Sequence, residues 1–183
     1  MRKSNQSRSG GVPDHLQRRL LLLFVGFNPS LRSAETGHHY ANPNNRFWSI
    51  LHQSGLTPYR YRPEEDYRLL QLGYGLTNIV DRPTRSAVEI TREEFEAGRR
   101  KLHRKIAYYR PRVVCYVGKG VFQEYSRRRD IKWGVQDEPI IPGIVDFVAP
   151  SSSGLVRMGL NEVVSIYQQL AQLIAEYRSS PGS

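Results

Sequence analysis

Residues 20–30, Leu-Leu-Leu-Leu-Phe-Val-Gly-Phe-Asn-Pro-Ser, constrain the fold more than any other stretch of this chain. The apolar run does not alternate with polar residues, so it predicts a central strand covered on both faces, as in a parallel sheet. Pro29 cannot donate to a sheet ladder, so the strand is expected to end at Asn28 and the chain to turn there. One carboxamide is thereby placed at the carboxyl end of a central strand, where open α/β sheets hold their ligands. Gly26 carries no side chain and permits close approach to the backbone beside it.

The remaining chain alternates strand and helix signals. After a long loop over 29–43, Phe47, Ile50 and Leu51 share a helical face, with Asn44 or Asn45 as N-cap and Gly55 past the end. A short helix over 63–72 precedes a weak strand around 74–79. Thr91-Arg92-Glu93-Glu94 is a capping box that opens a helix running to about Tyr109. A second central strand, 112–117, leads through Gly118-Lys119-Gly120 into a helix ending near Arg128. A third strand, 144–148, runs into Pro150-Ser151-Ser152-Ser153-Gly154. A final helix over about 159–177 carries Val163, Ile166, Tyr167, Leu170 and Ile174 at core spacing. The expected architecture is α/β, with helices on both faces of a mainly parallel sheet. Residues 1–18 are read as a flexible basic tail, 19–178 as one domain and 179–183 as a flexible C-terminus.

A formal charge of +10 over 183 residues favours a polyanionic partner, because each phosphate neutralised releases a counterion. No apolar run is long enough to span a bilayer, and no basic amphipathic helix or lipid signal is present. The polar N-terminus lacks the apolar stretch of a secretory signal. Cys115 is the single cysteine and sits in an apolar run, so a buried inert thiol and an intracellular setting are expected.

Several motifs suggest other chemistry and fall short of it. Gly118-Lys119-Gly120 lacks the spacing of a nucleotide phosphate loop; it is either a close strand-to-helix turn or a cradle for one DNA phosphate. Adjacent His38 and His39 are not expected to converge on one metal ion, and loop packing or substrate contact fits them better. Ser151-Ser152-Ser153 has no nucleophile elbow around it, and reads as a loop offering hydroxyls and N–H groups to phosphate. Asp81 is read as a turn or ion-pair residue, and Glu35 as solvent-exposed.

Taken in order, Gly26-Phe27-Asn28-Pro29-Ser30, Gly37-His38-His39-Tyr40, Asn42-Pro43-Asn44-Asn45-Arg46-Phe47-Trp48, Gly75 to Thr84, Gly98-Arg99-Arg100, Tyr116-Val117-Gly118-Lys119 and Pro150-Ser151-Ser152-Ser153 strongly resemble the mismatch-specific uracil and thymine DNA glycosylases of the uracil-DNA glycosylase superfamily. The resemblance spans nearly the whole domain. It implies a three-layer α/β/α fold and hydrolysis of the N-glycosidic bond of a mispaired uracil opposite guanine in double-stranded DNA, with thymine and etheno-cytosine as further candidate substrates. It implies no cofactor and no metal, a monomer, and a cytoplasmic or nuclear location.

By the same resemblance Asn28 matches the catalytic asparagine that positions the attacking water, and Tyr40 the aromatic residue that stacks on the extruded base. Gly26, Phe27, Asn78 and Ser151 belong to the implied base pocket. Leu155 resembles the wedge that fills the vacated duplex position. Arg157, Gly118, Lys119, Ser152 and Ser153 are the implied DNA-backbone contacts. No lysine matches a Schiff-base position, so monofunctional glycosylase chemistry is expected. Two residues depart from the pattern: Ser30 stands where the family usually has Gly, and Ala149 where relatives place His or Asn. The competing expectation is a non-catalytic mismatch-binding protein of the same fold.

Overall fold

A computed structural model describes residues 10–180; residues 1–9 of the expected tail and 181–183 of the expected C-terminus lie outside the described residues. Five strands form one sheet in the order β2-β1-β3-β5-β4. The strands are β1 (Leu22–Gly26), β2 (Tyr74–Asn78), β3 (Val113–Val117), β4 (Gly134–Val135) and β5 (Val145–Ala149). β1, β2, β3 and β5 run parallel, and β4 pairs antiparallel with β5 at the edge. The helices are α1 (Leu31–Thr36), α2 (Phe47–Gln53), α3 (Arg92–Tyr109), α4 (Lys119–Ser126) and α5 (Leu160–Ser179), with a 3₁₀ helix over Pro63–Leu72.

All five residues of β1 are buried, which is why its sequence carries no polar alternation. Successive side chains point to opposite faces of a strand, and the core divides accordingly. Leu22 and Phe24 pack into one layer with Phe47 and Ile50 of α2 and Tyr167 and Leu170 of α5. Leu23 and Val25 pack into the other with Leu102 and Ile106 of α3 and Val121 and Phe122 of α4. Truncating Phe24 to Ala would cost about 3–5 kcal/mol, the usual range for a buried aromatic.

Three features depart from the sequence expectation. The loop expected over 29–43 contains α1, capped by the Ser30 side chain at its start and by Gly37 in the left-handed region at its end. This helix is only six residues long, too short to show a helical apolar period. Strand β4 is two residues long and equally invisible to pattern. Residues near 15 do not belong to a flexible tail: His15 pairs antiparallel with Leu76, with both N–O distances at 2.9 Å. Asp14 is bonded there by Thr77 Oγ1 at 2.8 Å and by the ammonium of Lys105.

The α2 helix begins at Phe47 with Arg46 as N-cap, although Asn45 Oδ1 still accepts from Phe47 N at 3.0 Å. The capping box of α3 forms as expected, with Glu94 Oε2 accepting from Thr91 N at 2.8 Å. Gly98 lets α3 cross the end of β2, since a Cβ there would lie 2.1 Å from Ile79 O. Among the described residues no helix is long and apolar enough to cross a membrane.

Candidate active site

The chain leaves β1 between β2 on one side and β3 on the other, so its carboxyl end lies at the point where strand order reverses. Crevices form at such points in open parallel sheets. A cavity of about 630 Å³ opens there, lined among others by Asn28, Ser30, Tyr40, Asn78, Ser153 and Leu155. The volume falls within the range of small-molecule sites.

Asn28 is held by both protons of its amide nitrogen. Nδ2 donates to Arg82 O at 2.8 Å and to Thr84 Oγ1 at 2.8 Å. Thr84 Oγ1 donates onward to Ser86 O at 2.8 Å, which fixes its lone pair toward Asn28. The orientation of the carboxamide follows from this network, leaving Oδ1 as its only end free to accept from a ligand. Arg82 is itself anchored by Glu94, with Nη2 to Oε2 at 3.0 Å, and by Glu89 O at 2.9 Å. The guanidinium of Arg82 and the Thr91 N–H hold the Glu94 carboxyl down to about 2. Sequence reading missed Arg82 and Thr84 as supports. Their signal was Asp81-Arg82-Pro83-Thr84, where a Pro forces a turn that aims a carbonyl outward.

Gly26 makes room for two polar groups of the protein itself. A Cβ at Gly26 would lie 2.6 Å from Asn78 Oδ1 and 3.1 Å from the Tyr40 hydroxyl. Tyr40 has φ of 51°, a left-handed conformation uncommon outside glycine and frequent at functional sites. One face of its ring stacks on Phe47, with centroids 3.8 Å apart at 13°. The Tyr40 hydroxyl is buried without a hydrogen-bond partner among the described residues, and burial pushes its ionisation up, so it stays protonated.

Val12, Pro29 and Leu155 are apolar, the polar lining groups are uncharged apart from Arg85, and none of the described lining residues is Asp or Glu. Asn42 Oδ1 accepts from Asn44 N at 2.9 Å and Asn45 Oδ1 from Phe47 N at 3.0 Å. Each of these side chains therefore has its NH₂ end left to donate. Ser30, the departure from Gly, accepts from Ser33 N at 3.0 Å as the N-cap of α1. Ala149 is fully buried and its carbonyl accepts from Gly118 N at 2.8 Å, so this position offers no side-chain donor.

Not every residue of the expected site reaches the cavity. Phe27 turns away to meet Phe95, ring centroids 6.0 Å apart, and covers Gly120 of α4. Only its main chain stays near β2, where its carbonyl accepts from Val80 N at 2.9 Å. Ser151 Oγ accepts from Ser153 N at 3.2 Å, shaping the loop from behind. Ser152 is buried and its carbonyl accepts from Arg46 N at 2.9 Å. Gly118 adopts φ of 120° at the start of α4, and Lys119 places its ammonium 4.3 Å from the Trp133 ring centroid. Arg157 is exposed. Leu155 lines the cavity rim with 93 % of its surface exposed.

The loop that carries Tyr40 is tied down by a buried carboxylate. Asp66 Oδ2 accepts from His39 N at 2.9 Å, while Oδ1 lies 3.3 Å from His38 Nδ1 and 3.2 Å from His15 Nε2. His39 Nε2 is 2.8 Å from Pro13 O, and Trp48 Nε1 donates to His39 O at 3.3 Å. Burial alone would raise the Asp66 carboxyl, but hydrogen bonds from His15 and His39 outweigh it and hold it below its usual range. Burial lowers His39, against the opposing pull of Pro13 O and Asp66, so its imidazole is neutral at pH 7. His15 and Asp66 carried no sequence signal, because neither stands near the His-His pair in the chain.

The family model of the uracil DNA glycosylase superfamily matches residues 13–171. The chain belongs to this superfamily. Membership supports hydrolytic DNA glycosylase activity in general, with DNA as the partner. The match begins at Pro13, which places the segment holding His15 inside the superfamily domain. The solution structure of a "putative Uracil DNA glycosylase" from Methanosarcina acetivorans is similar in fold. It shares 22% identity, with a TM-score of 0.55, over 88% of this chain and 97% of that one. The arrangement of helices on both faces of a mostly parallel sheet is thus shared with that structure.

Proposed function

We propose that this chain is a monofunctional DNA glycosylase that excises mispaired uracil opposite guanine, with thymine and etheno-cytosine as secondary substrates. The observation that carries the reading is the fixed Asn28 carboxamide, which lines the cavity with both N–H protons committed, so that Oδ1 is the end left to accept. Such an oxygen can accept a hydrogen bond from a water and orient it. It cannot deprotonate that water, because an amide is far too weak a base.

The reaction therefore proceeds mainly by departure of the base as a stabilised anion, leaving a sugar with oxocarbenium character that the oriented water captures. The lack of Asp or Glu among the described lining residues fits this order, since no general base is needed before the bond breaks. Fixed donors facing the developing charge contribute most in such a site. The NH₂ ends of Asn42 and Asn45 and the main chain after β1 are suited to that task.

Tyr40 provides the aromatic surface for an extruded base, which has lost its stacking neighbours. Leu155 is the wedge, where an apolar side chain offsets the cost of unstacking a duplex step. Gly118, Lys119 at the start of α4, Ser153 and Arg157 are the backbone contacts, supported by the net positive charge, while the buried Ser152 holds its loop against Arg46.

The deciding experiment incubates the protein with a duplex carrying uracil opposite guanine and measures abasic strand, beside duplexes with uracil opposite adenine and thymine opposite guanine. The expected result is abasic product from the guanine mismatch, with Asn28→Ala slower by about 10²–10³, the scale for removing one positioned polar group. Mismatch binding without abasic product would instead support a non-catalytic binder. Near-normal turnover by Asn28→Ala would show that the water is held elsewhere.

A further inference from the structure

The cluster beneath the Tyr40 loop has a second property that its hydrogen bonding does not exhaust. His15, His39 and Asp66 come from three separate segments, yet one ligand atom from each lies within 4.8 Å of the other two. We propose that His15, His39 and Asp66 form a structural site for a divalent transition metal of the zinc class, which clamps the N-terminal segment to the loop carrying Tyr40. The site stands apart from the glycosylase reading and does not take part in bond cleavage.

One of the three ligand pairs already has the spacing that a tetrahedral ion requires, and the third ligand atom, within 4.8 Å of the other two, closes in as the ion binds. Zinc bonds to nitrogen and carboxylate oxygen of about 2.0–2.2 Å place neighbouring ligand atoms about 3.3 Å apart. His15 Nε2 and Asp66 Oδ1 already stand at 3.2 Å. The outer partners are those that metal sites commonly use to orient their ligands. His39 has one ring nitrogen committed to Pro13 O, leaving the other for the ion. Asp66 has Oδ2 committed to a main-chain N–H, leaving Oδ1 toward His15. Asp66 and His39 are both buried, and the half-buried His15 edge provides the way in. A water completes the coordination, because His38, although its Nδ1 is 3.3 Å from the same Oδ1, stands outside the group formed by His15, His39 and Asp66.

Two imidazoles and one carboxylate select against magnesium and calcium, which take oxygen ligands, and favour zinc or cobalt. Neutral imidazole and ionised carboxylate are the forms that ligate, so the ion takes the place of the proton that His15 Nε2 shares with Asp66 Oδ1. The functional consequence is local. His39 directly precedes Tyr40, and Tyr40 holds a left-handed backbone that the surrounding contacts must maintain.

The test uses the full chain, stripped with a chelator, dialysed, and titrated with Co²⁺ and then Zn²⁺. The expected result is one ion per chain, with the visible absorption of four-coordinate cobalt displaced by zinc. Expected zinc affinity is tighter than about 1 μM, sufficient to compete with a chromophoric chelator. His15→Gln, at the accessible edge, should weaken binding by about 100-fold or more, beyond what loss of an outer-shell partner costs. His52→Gln, on the exposed face of α2, should bind as the parent does. Zinc should raise the melting temperature of the parent and leave that of His15→Gln unchanged. Absence of a one-to-one complex at 10-fold molar excess overturns the proposal, as does unchanged affinity in a folded His15→Gln chain.

Discussion

The hydroxyl of Thr84 accepts from the Asn28 side chain at 2.8 Å, across 56 positions of sequence. It joins the turn after β1 to the turn after β2 and decides which end of the carboxamide faces the cavity. A free amide could present either its oxygen or its nitrogen. With both nitrogen protons bonded, turning it over would break two hydrogen bonds and set an oxygen against a carbonyl.

Replacing Thr84 by Val should therefore damage catalysis without removing any proposed catalytic group. The loss of one positioning hydrogen bond, worth about 1–2 kcal/mol, corresponds to about 5–30-fold in excision rate. Single-turnover measurement on a uracil–guanine duplex tests this. An unchanged rate would show that Arg82 O holds the amide unaided.

Tyr40→Phe keeps the ring stacked on Phe47 while deleting a buried hydroxyl that has no partner among the described residues. Because an unsatisfied buried polar group costs about 1–3 kcal/mol, the variant should be at least as stable as the parent in urea unfolding. A marked fall in stability would reveal a hydrogen bond supplied by ordered water.

Glu94 links stability to pH. Its carboxyl is held down to about 2 by Arg82 and by the Thr91 N–H, below its ordinary value near 4.3. A depressed folded value means that the unfolded chain binds the proton first. The stabilisation is thus complete above about pH 5 and fades as pH falls from there toward 2. Glu94→Gln should flatten that part of the stability–pH curve relative to the parent. Identical slopes for the two chains over this window would count against the Arg82–Glu94 pair as an anchor.

Leu155→Ala should reduce excision from duplex DNA more than from single strands, because only the duplex presents a vacated position to fill. The side chain is almost wholly exposed, so folding stability should be little changed. Equal losses on both substrates would remove the wedge role.

Much of the framework could be read from local chemistry. An apolar run without alternation marked β1, a Pro after Asn28 marked its end two residues past the observed Gly26, and Thr91 with Glu94 marked the start of α3. Each signal lies within a few consecutive residues, the distance over which propensity and capping operate. The elements missed, α1 and β4, are too short to carry a period. Where the Phe27 side chain goes was not legible, because a residue just beyond a strand follows the turn, and here Phe95 and the bare Gly120 offered it a well-packed place.

Sequence alone determined that a carboxamide would stand at the mouth of a parallel sheet, in a basic chain, next to loops resembling those of DNA glycosylases. Tertiary structure alone decided which end of that carboxamide faces the cavity, what fills the space over Gly26, and which groups surround Asp66. The physical reason is range. Strand ends and caps follow from neighbours in the chain, whereas Arg82, Thr84, His15 and Asp66 meet their partners only after the sheet and its flanking layers have closed around them.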